Sequence, residues 1–559
     1  MADKENPREL TRRELLGQAT GAFAAAQLSP FASFFEPKDA PLRCINVVNF
    51  IRGVEPRGPM DLFLPVQKQM EVIRAHRLPA TWLFQYDALI LPQFTDFILS
   101  NADSSHEVGF WFEMNQRHCE AAGVEWRGRP GYEWDHYPSV AFTIGYKPEE
   151  RKKLADAAMK TFKEVWGKYP KSVASWNLDS ITIAHLVEHY QVQAFAVCRD
   201  QIATDGFTIW GAPIAGYYPS RTNCWSPAVD RQNQISAPIF RMLGQDPVYY
   251  YQSSYPFPDG SRHGGPDTME PVWPSGRSQA FVNNFLKMIS SDPTLQFAYA
   301  QLGQENSFGW PQMEQAYPMQ MKALAELRKS SAINVETMAE TGRRFQKKFK
   351  ATPAQAQVML RDPFGNKTDP EQTIWYQSRN YRTNLHIRDG LPFIRDLTVY
   401  SDQFAQPFLH EPTRQQDVEQ RMPALLDGYH WSRTPGSAEP GAAFLLIDGE
   451  RMAITEPPKV TENGNALVAV LRFSRNRQVV IRFEERRIRI QPSAGCKLTL
   501  SFEWEPSKMP LPTLSKRNVA YEWQGFHYGA EVVGELKSTN HGWQVLPHDG
   551  KIEIHLEQR

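Results

Sequence analysis

The sequence predicts a chain in two parts, an α/β barrel of the (β/α)7 type followed by an all-β sandwich. Three observations carry this prediction. Between residues 44 and 305, short apolar runs alternate with stretches whose apolar residues recur at helical spacing, the signature of parallel strands with crossover helices. After Phe349 the texture changes to many short β-prone runs separated by turn residues. At 559 residues and 41% hydrophobic, the chain has material for two or three domains.

The elements follow in order. Arg12 and Arg13 precede a mildly apolar stretch over 17–26, which resembles a twin-arginine export signal and is too short to span a membrane. The expected organisation is therefore a signal and linker over 1–40, a barrel over 41–350 and a sandwich over 351–559, with export to the periplasm or outside the cell. No later run of about 20 apolar residues appears, so no membrane span is expected. Strands are predicted over 44–50, 80–86, 108–112, 172–176, 195–197 and 296–302. Helices are predicted over 62–77, 89–99, 149–168, 181–189, 278–290, 319–330 and 334–349. About seven such units suit a closed or nearly closed barrel. The region 205–267 is long and irregular, and such loops are usually functional. Further on, strands are predicted over 373–377, 397–400, 443–447, 467–473, 479–483, 488–491, 498–504, 531–536 and 552–556, as in a β-sandwich.

Composition limits the function. Lys plus Arg number 62 and Asp plus Glu 62, so no nucleic-acid footprint is expected. The five cysteines, Cys44, Cys119, Cys198, Cys224 and Cys496, match no zinc or redox spacing and read as buried small apolar residues. Trp 15, Tyr 20 and Pro 42 are high counts, and aromatic loops suit hydroxylated, flat-faced ligands such as sugars.

In a barrel of parallel strands, chemistry sits at the carboxyl ends of the strands. Glu113 occupies such an end, in a run whose aromatic residues offer an apolar wall. Asp179 follows the strand ending at Trp176, and Glu305 follows the last strand of the barrel. These three are the candidate catalytic carboxylates. Asp179 is equally placed to cap the helix behind it. Candidate substrate-binding residues at other strand ends and in nearby loops are Arg52, Trp111, Asp135, Trp176, Arg199, Asp200, Tyr217, Tyr218 and Trp310. Asp200 beside Arg199 is also a candidate structural ion pair.

The runs LPATWLFQYDALI, HEVGFWFE and KYPKSVASWNLDS, set at these spacings, resemble the polysaccharide deacetylase-like (β/α)7-barrel superfamily, which also holds retaining glycoside hydrolases. The resemblance covers roughly 44–305 and implies the barrel. It departs at the metal site: the deacetylase Asp-Asp pair meets Ile51 and Arg52, and the His-x-x-x-His pair meets Trp111 and Asn115. Those side chains do not ligate a divalent cation. The expectation is thus a metal-independent glycoside hydrolase with no cofactor, acting through a pair of carboxylates on a poly- or oligosaccharide. The alternatives are a non-catalytic carbohydrate-binding or structural protein on this scaffold, and a deacetylase or lyase with an unrecognised metal site.

Overall fold

The computed structural model describes residues 40–242, 267–330, 333–365, 370–433 and 441–558. The expected export segment over 1–39, the tyrosines at 249–251 and the His-Gly-Gly run at 263–265 lie outside the described residues. Residues from Ala40 onward form one compact unit.

Seven parallel strands build a curled sheet: β1 (Leu42–Ile51), β2 (Ala80–Phe84), β3 (His106–Trp111), β4 (Ser172–Ala174), β5 (Ala194–Cys198), β6 (Ile239–Met242) and β7 (Phe297–Leu302). Their order is β7-β1-β2-β3-β4-β5-β6. Strand β1 serves both neighbours, pairing Leu42 to Val47 with β7 and Val48 to Ile51 with β2. The sheet curls until Phe240 of β6 stacks against Tyr299 of β7, ring centroids 4.8 Å apart. The fold is therefore mixed α/β, as expected. Strand β6 was not anticipated, because its four residues sit inside the irregular loop region.

Both faces of this sheet are buried, so its strands read as apolar runs. Alternate residues go to opposite faces. Val48, Phe50, Leu83, Trp111, Ala194, Ala196, Phe240, Phe297 and Tyr299 fill the concave interior. Ile51, Trp82, Phe84, Phe110, Phe112, Phe195 and Ala298 pack outward with the helices. Those helices include Phe63–Ala75, Pro92–Asn101, Pro148–Trp166, Ser180–Tyr190, Gln279–Ser290 and Ala316–Lys329, close to the predicted spans. The helix expected over 334–349 starts later, at Met338. It is preceded by a two-residue strand, Asn334–Val335, that pairs with β1. All five cysteines are buried and unpaired.

From Gln355 on, most of the chain is antiparallel sheet, while Val418–Arg421 pairs in parallel with Phe207–Trp210. Among the described residues ten strands form one antiparallel sheet and eight form another. Their inner faces share one apolar core, in which Leu467, Ala469, Leu471, Val479, Ile481 and Phe483 of one sheet meet Ile374, Leu385, Ile394, Leu445 and Leu500 of the other. The strand expected over 531–536 is instead the end of Phe526–Val533 and the start of Glu535–Thr539, with Gly534 between. Among the described residues no helix is long and apolar enough to cross a membrane.

A buried ion-pair chain ties the curled sheet to the antiparallel region. Arg382 donates to Asp200 at 2.6 Å and to Asp396 at 2.8 Å, and Arg241 donates to the other oxygen of Asp200 at 2.9 Å. All four side chains are buried. Breaking a buried pair leaves an uncompensated charge. Arg382→Met is therefore expected to lower unfolding free energy by about 3–5 kcal/mol, measured by urea denaturation.

Candidate functional site

The alternation that fills the sheet interior also aims the strand ends. Phe50 points inward and Ile51 outward, so Arg52 points inward. The same count from Leu83 gives Gln85, and from Trp111 gives Glu113. On β7 the chain turns through Gly303 (φ +119°), where a Cβ would lie 1.9 Å from the carbonyl oxygen of Val48. Only glycine fits, and the turn delivers Gln304 and Glu305 to the same mouth.

There Arg52 joins two carboxylates. Its Nη1 lies 2.7 Å from Glu113 Oε2, and its Nε lies 3.2 Å from Glu305 Oε2. Through the guanidinium the two Oε2 atoms can be no more than about 8 Å apart, a ceiling that admits the roughly 5–5.5 Å used in retention and only the lower part of the roughly 6.5–9.5 Å used in inversion. All three side chains are buried. Burial pushes the Glu113 and Glu305 carboxyls above their ordinary range, and Arg52 opposes that shift most strongly.

The surroundings fix Arg52 from every side. Asn306 accepts from the Arg52 backbone N–H at 2.9 Å and donates to its carbonyl at 2.9 Å, so the end of β1 is clamped to the loop after β7. Trp134 covers the guanidinium with its ring centroid 4.0 Å away. Trp111 Nε1 donates to Glu113 Oε2 at 2.9 Å, and its ring stacks on Phe50 at 3.8 Å. Trp176, half-buried, meets both rings edge-on. Beyond Gly53, Asp87 accepts the Val54 N–H at 2.9 Å, and Gly53 has no room for a Cβ, which would lie 2.9 Å from Ala88 N.

Other expected site residues go elsewhere. Asp179 caps the helix Ser180–Tyr190, accepting from Ile181 and Thr182 N–H, and pairs with buried Arg151 at 3.1 Å. Its carboxylate is engaged by the fold. Asp200 belongs to the ion-pair chain described above. Asp135 is held by Arg129 at 2.7 Å. Tyr217 and Tyr218, expected at sugar subsites, are core residues whose hydroxyls donate to the carbonyl oxygens of Cys224 and Phe349. Trp310 is half-buried against Tyr317. Arg199 is buried close enough to Asp267 and Glu270 to lower the pKa of each.

Sequence reasoning missed Gln85, Asp87, Trp134, Glu270, Gln304 and Asn306. Gln85 and Asp87 were within reach, because they end a recognised strand. Glu270 lies in the segment before the helix Pro274–Arg277 and not at the end of a strand. Its carboxylate accepts from Gln304 Nε2 at 3.3 Å, from Thr268 Oγ1 at 3.3 Å and from Trp273 Nε1 at 3.1 Å.

The places that would bind metal in a deacetylase do not fit one. Ile51 packs outward, Arg52 is itself the cation, Trp111 is bonded to Glu113, and Asn115 caps the helix Gln116–Ala122. Among the described residues no three His, Cys, Asp or Glu side chains converge as a metal-binding group.

No protein-family model matches the chain, and no curated protein matches it. Among solved structures, the fold is similar to that of a Parabacteroides distasonis protein provisionally assigned as a glycoside hydrolase/deacetylase. The TM-score is 0.53 at 15% identity, over 69% of this chain and 92% of that one. A Mycobacterium smegmatis protein provisionally assigned as a polysaccharide deacetylase matches at TM-score 0.33 and 15% identity, over 60% of this chain and 99% of its own. A family 4 carbohydrate esterase from Streptomyces lividans matches at TM-score 0.25 and 8% identity, over 55% and 96%. At those two scores the likeness is too loose to bear on the fold.

Burial pushes the Asp87 carboxyl up to about 6 from its ordinary 3.8, against the pull of backbone N–H groups and Arg52. The folded state therefore favours the protonated form. That contribution is intact below about pH 4 and is lost as pH rises through about 6, a change of about 3 kcal/mol. Asp87→Asn should flatten this part of the stability–pH curve, whatever it does to absolute stability, as read by denaturant titrations between pH 4 and 7.

Proposed function

We propose that the protein is a glycoside hydrolase acting on a poly- or oligosaccharide, with Glu113 and Glu305 as its carboxylate pair. In this reading the curled sheet is a (β/α)7-type barrel over 41–350, and the two antiparallel sheets form a β-sandwich over 351–559. The twin arginines at 12 and 13 support export. One observation carries the proposal: two buried carboxylates, from the ends of β3 and β7, share one buried guanidinium at the mouth of the sheet. Acetal cleavage requires a carboxylate as nucleophile or base together with a carboxyl that gives a proton. Arg52 favours their ionised forms, which suits a nucleophile or a base. Trp176, half-buried, supplies an apolar face beside them, of the kind that stacks on a sugar ring.

A second reading, a carbohydrate deacetylase, is favoured by the double assignment of the Parabacteroides protein. It needs an electrophile for the carbonyl oxygen, and Arg52, the cation at hand, is already engaged by two carboxylates.

The test is a screen of aryl glycosides, oligosaccharides and acetylated sugars, with and without chelator. Glycoside cleavage that survives chelation is expected, with no release of acetate. Glu113→Gln and Glu305→Gln should each lower kcat by at least about 10²–10⁴-fold. Asp179→Asn should lower stability and leave kcat near that of the wild type. Acetate release lost on chelation would overturn the proposal.

A further inference from the structure

We infer that Glu270 is the proton donor of this site, a third carboxyl that, unlike the other two, makes no ion pair among the described residues. The inference rests on the glycosidase reading and extends it. Glu113 and Glu305 each touch Arg52. Glu270 is also buried, yet among the described residues no Lys or Arg lies within ion-pair distance of it. Its three partners are a neutral amide, a hydroxyl and an indole N–H, from Gln304, Thr268 and Trp273. Gln304 directly precedes Glu305, and its own N–H is fixed by Asn49 Oδ1 at 3.1 Å. Glu270 is therefore tied to the turn that carries one of the two carboxyls held by Arg52.

Among the described residues the charged groups acting most strongly on Glu270 are Glu305, which disfavours its ionisation, and Arg199, which favours it more weakly. Burial and Glu305 together push its carboxyl up to about 7. Environments that drive neighbouring carboxyls apart mark one as acid and another as nucleophile or base.

The step balances simply. Protonated Glu270 gives its proton to the glycosidic oxygen as the bond from the anomeric carbon breaks. The bonding pair stays on that oxygen, which leaves as an alcohol. The anomeric carbon takes a new bond either directly from water or from a carboxylate oxygen; in the second case water then attacks that carbon and the ester bond breaks, its electron pair returning to the carboxylate. In both cases the proton that water gives up replaces the one Glu270 lost. The net reaction is glycoside plus water to sugar plus alcohol.

Leaving-group dependence tests this. A dinitrophenyl glycoside leaves without protonation, whereas an alkyl or sugar leaving group needs the acid. For Glu270→Gln, kcat/KM should fall less than about tenfold on the first and about 10²–10⁴-fold on the second. The alkaline limb of the wild-type pH profile, near pH 7, should vanish in the variant, and azide should restore dinitrophenyl turnover to Glu270→Ala. Equal losses on both substrates, in a variant with the wild-type melting temperature, would overturn the inference. If the variants do not fold, a wild-type profile with no alkaline limb between pH 6 and 8 would overturn it instead. The two readings separate cleanly. A wild type that cleaves no glycoside removes the glycosidase reading and this inference with it. Cleavage abolished in Glu113→Gln, with equal losses in Glu270→Gln, removes this inference alone.

Discussion

One buried guanidinium holds the mouth of this molecule together. Arg52 ends β1, and β1 lies between β7 on one side and β2 and β3 on the other. Its side chain spans that distance, meeting Glu305 beyond β7 and Glu113 beyond β3. A charge removed from water costs several kcal/mol unless it is paired and hydrogen-bonded. Arg52 meets that cost with two carboxylates, an indole face and the amide of Gln85, while Asn306 fixes its backbone. Burial pushes both carboxyls upward, and Arg52 is the strongest pull the other way.

The constraint reaches into the sheet. Residues two apart share a face, so Phe50 and Arg52 point the same way, as do Trp111 and Glu113. The apolar plug beneath the site and the charged pair above it are consecutive layers of one pattern. Trp111 belongs to both, stacking on Phe50 below and donating to Glu113 above. A register slip in β1 or β3 would exchange those layers and bury an aromatic where a charge belongs. Farther out, the Asp200–Arg382–Asp396 chain uses the same physics to fasten the antiparallel sheets to the curled one.

Much of this was legible in the sequence. Strand ends followed from apolar runs stopped by polar residues, which located Arg52, Glu113 and Glu305. What could not be read was partnership. Asp179, Asp135 and Asp200 sit at equally promising positions; the sequence left a cap open for Asp179 and an ion pair for Asp200, and the fold decides for the cap, for Arg129 on Asp135 and for Arg241 and Arg382 on Asp200. Tyr217 and Tyr218 looked like a ligand platform because they lie in an irregular stretch, yet packing draws both into the core. Glu270 escaped notice because it lies in the segment before the helix Pro274–Arg277 and not at the end of a strand. Local pattern places a side chain along the chain, and long-range pairing decides its chemistry.

The central claim is that Arg52 sets the ionisation of Glu113 and Glu305. Carbon-13 carboxyl titration of labelled glutamates, in the wild type and in Arg52→Met, tests it most directly, with Glu113→Gln and Glu305→Gln giving the assignments. The account predicts that removing the guanidinium moves the titration of both carboxyls upward, and that at least one then holds a proton at neutral pH. Unchanged titration of both residues would contradict it.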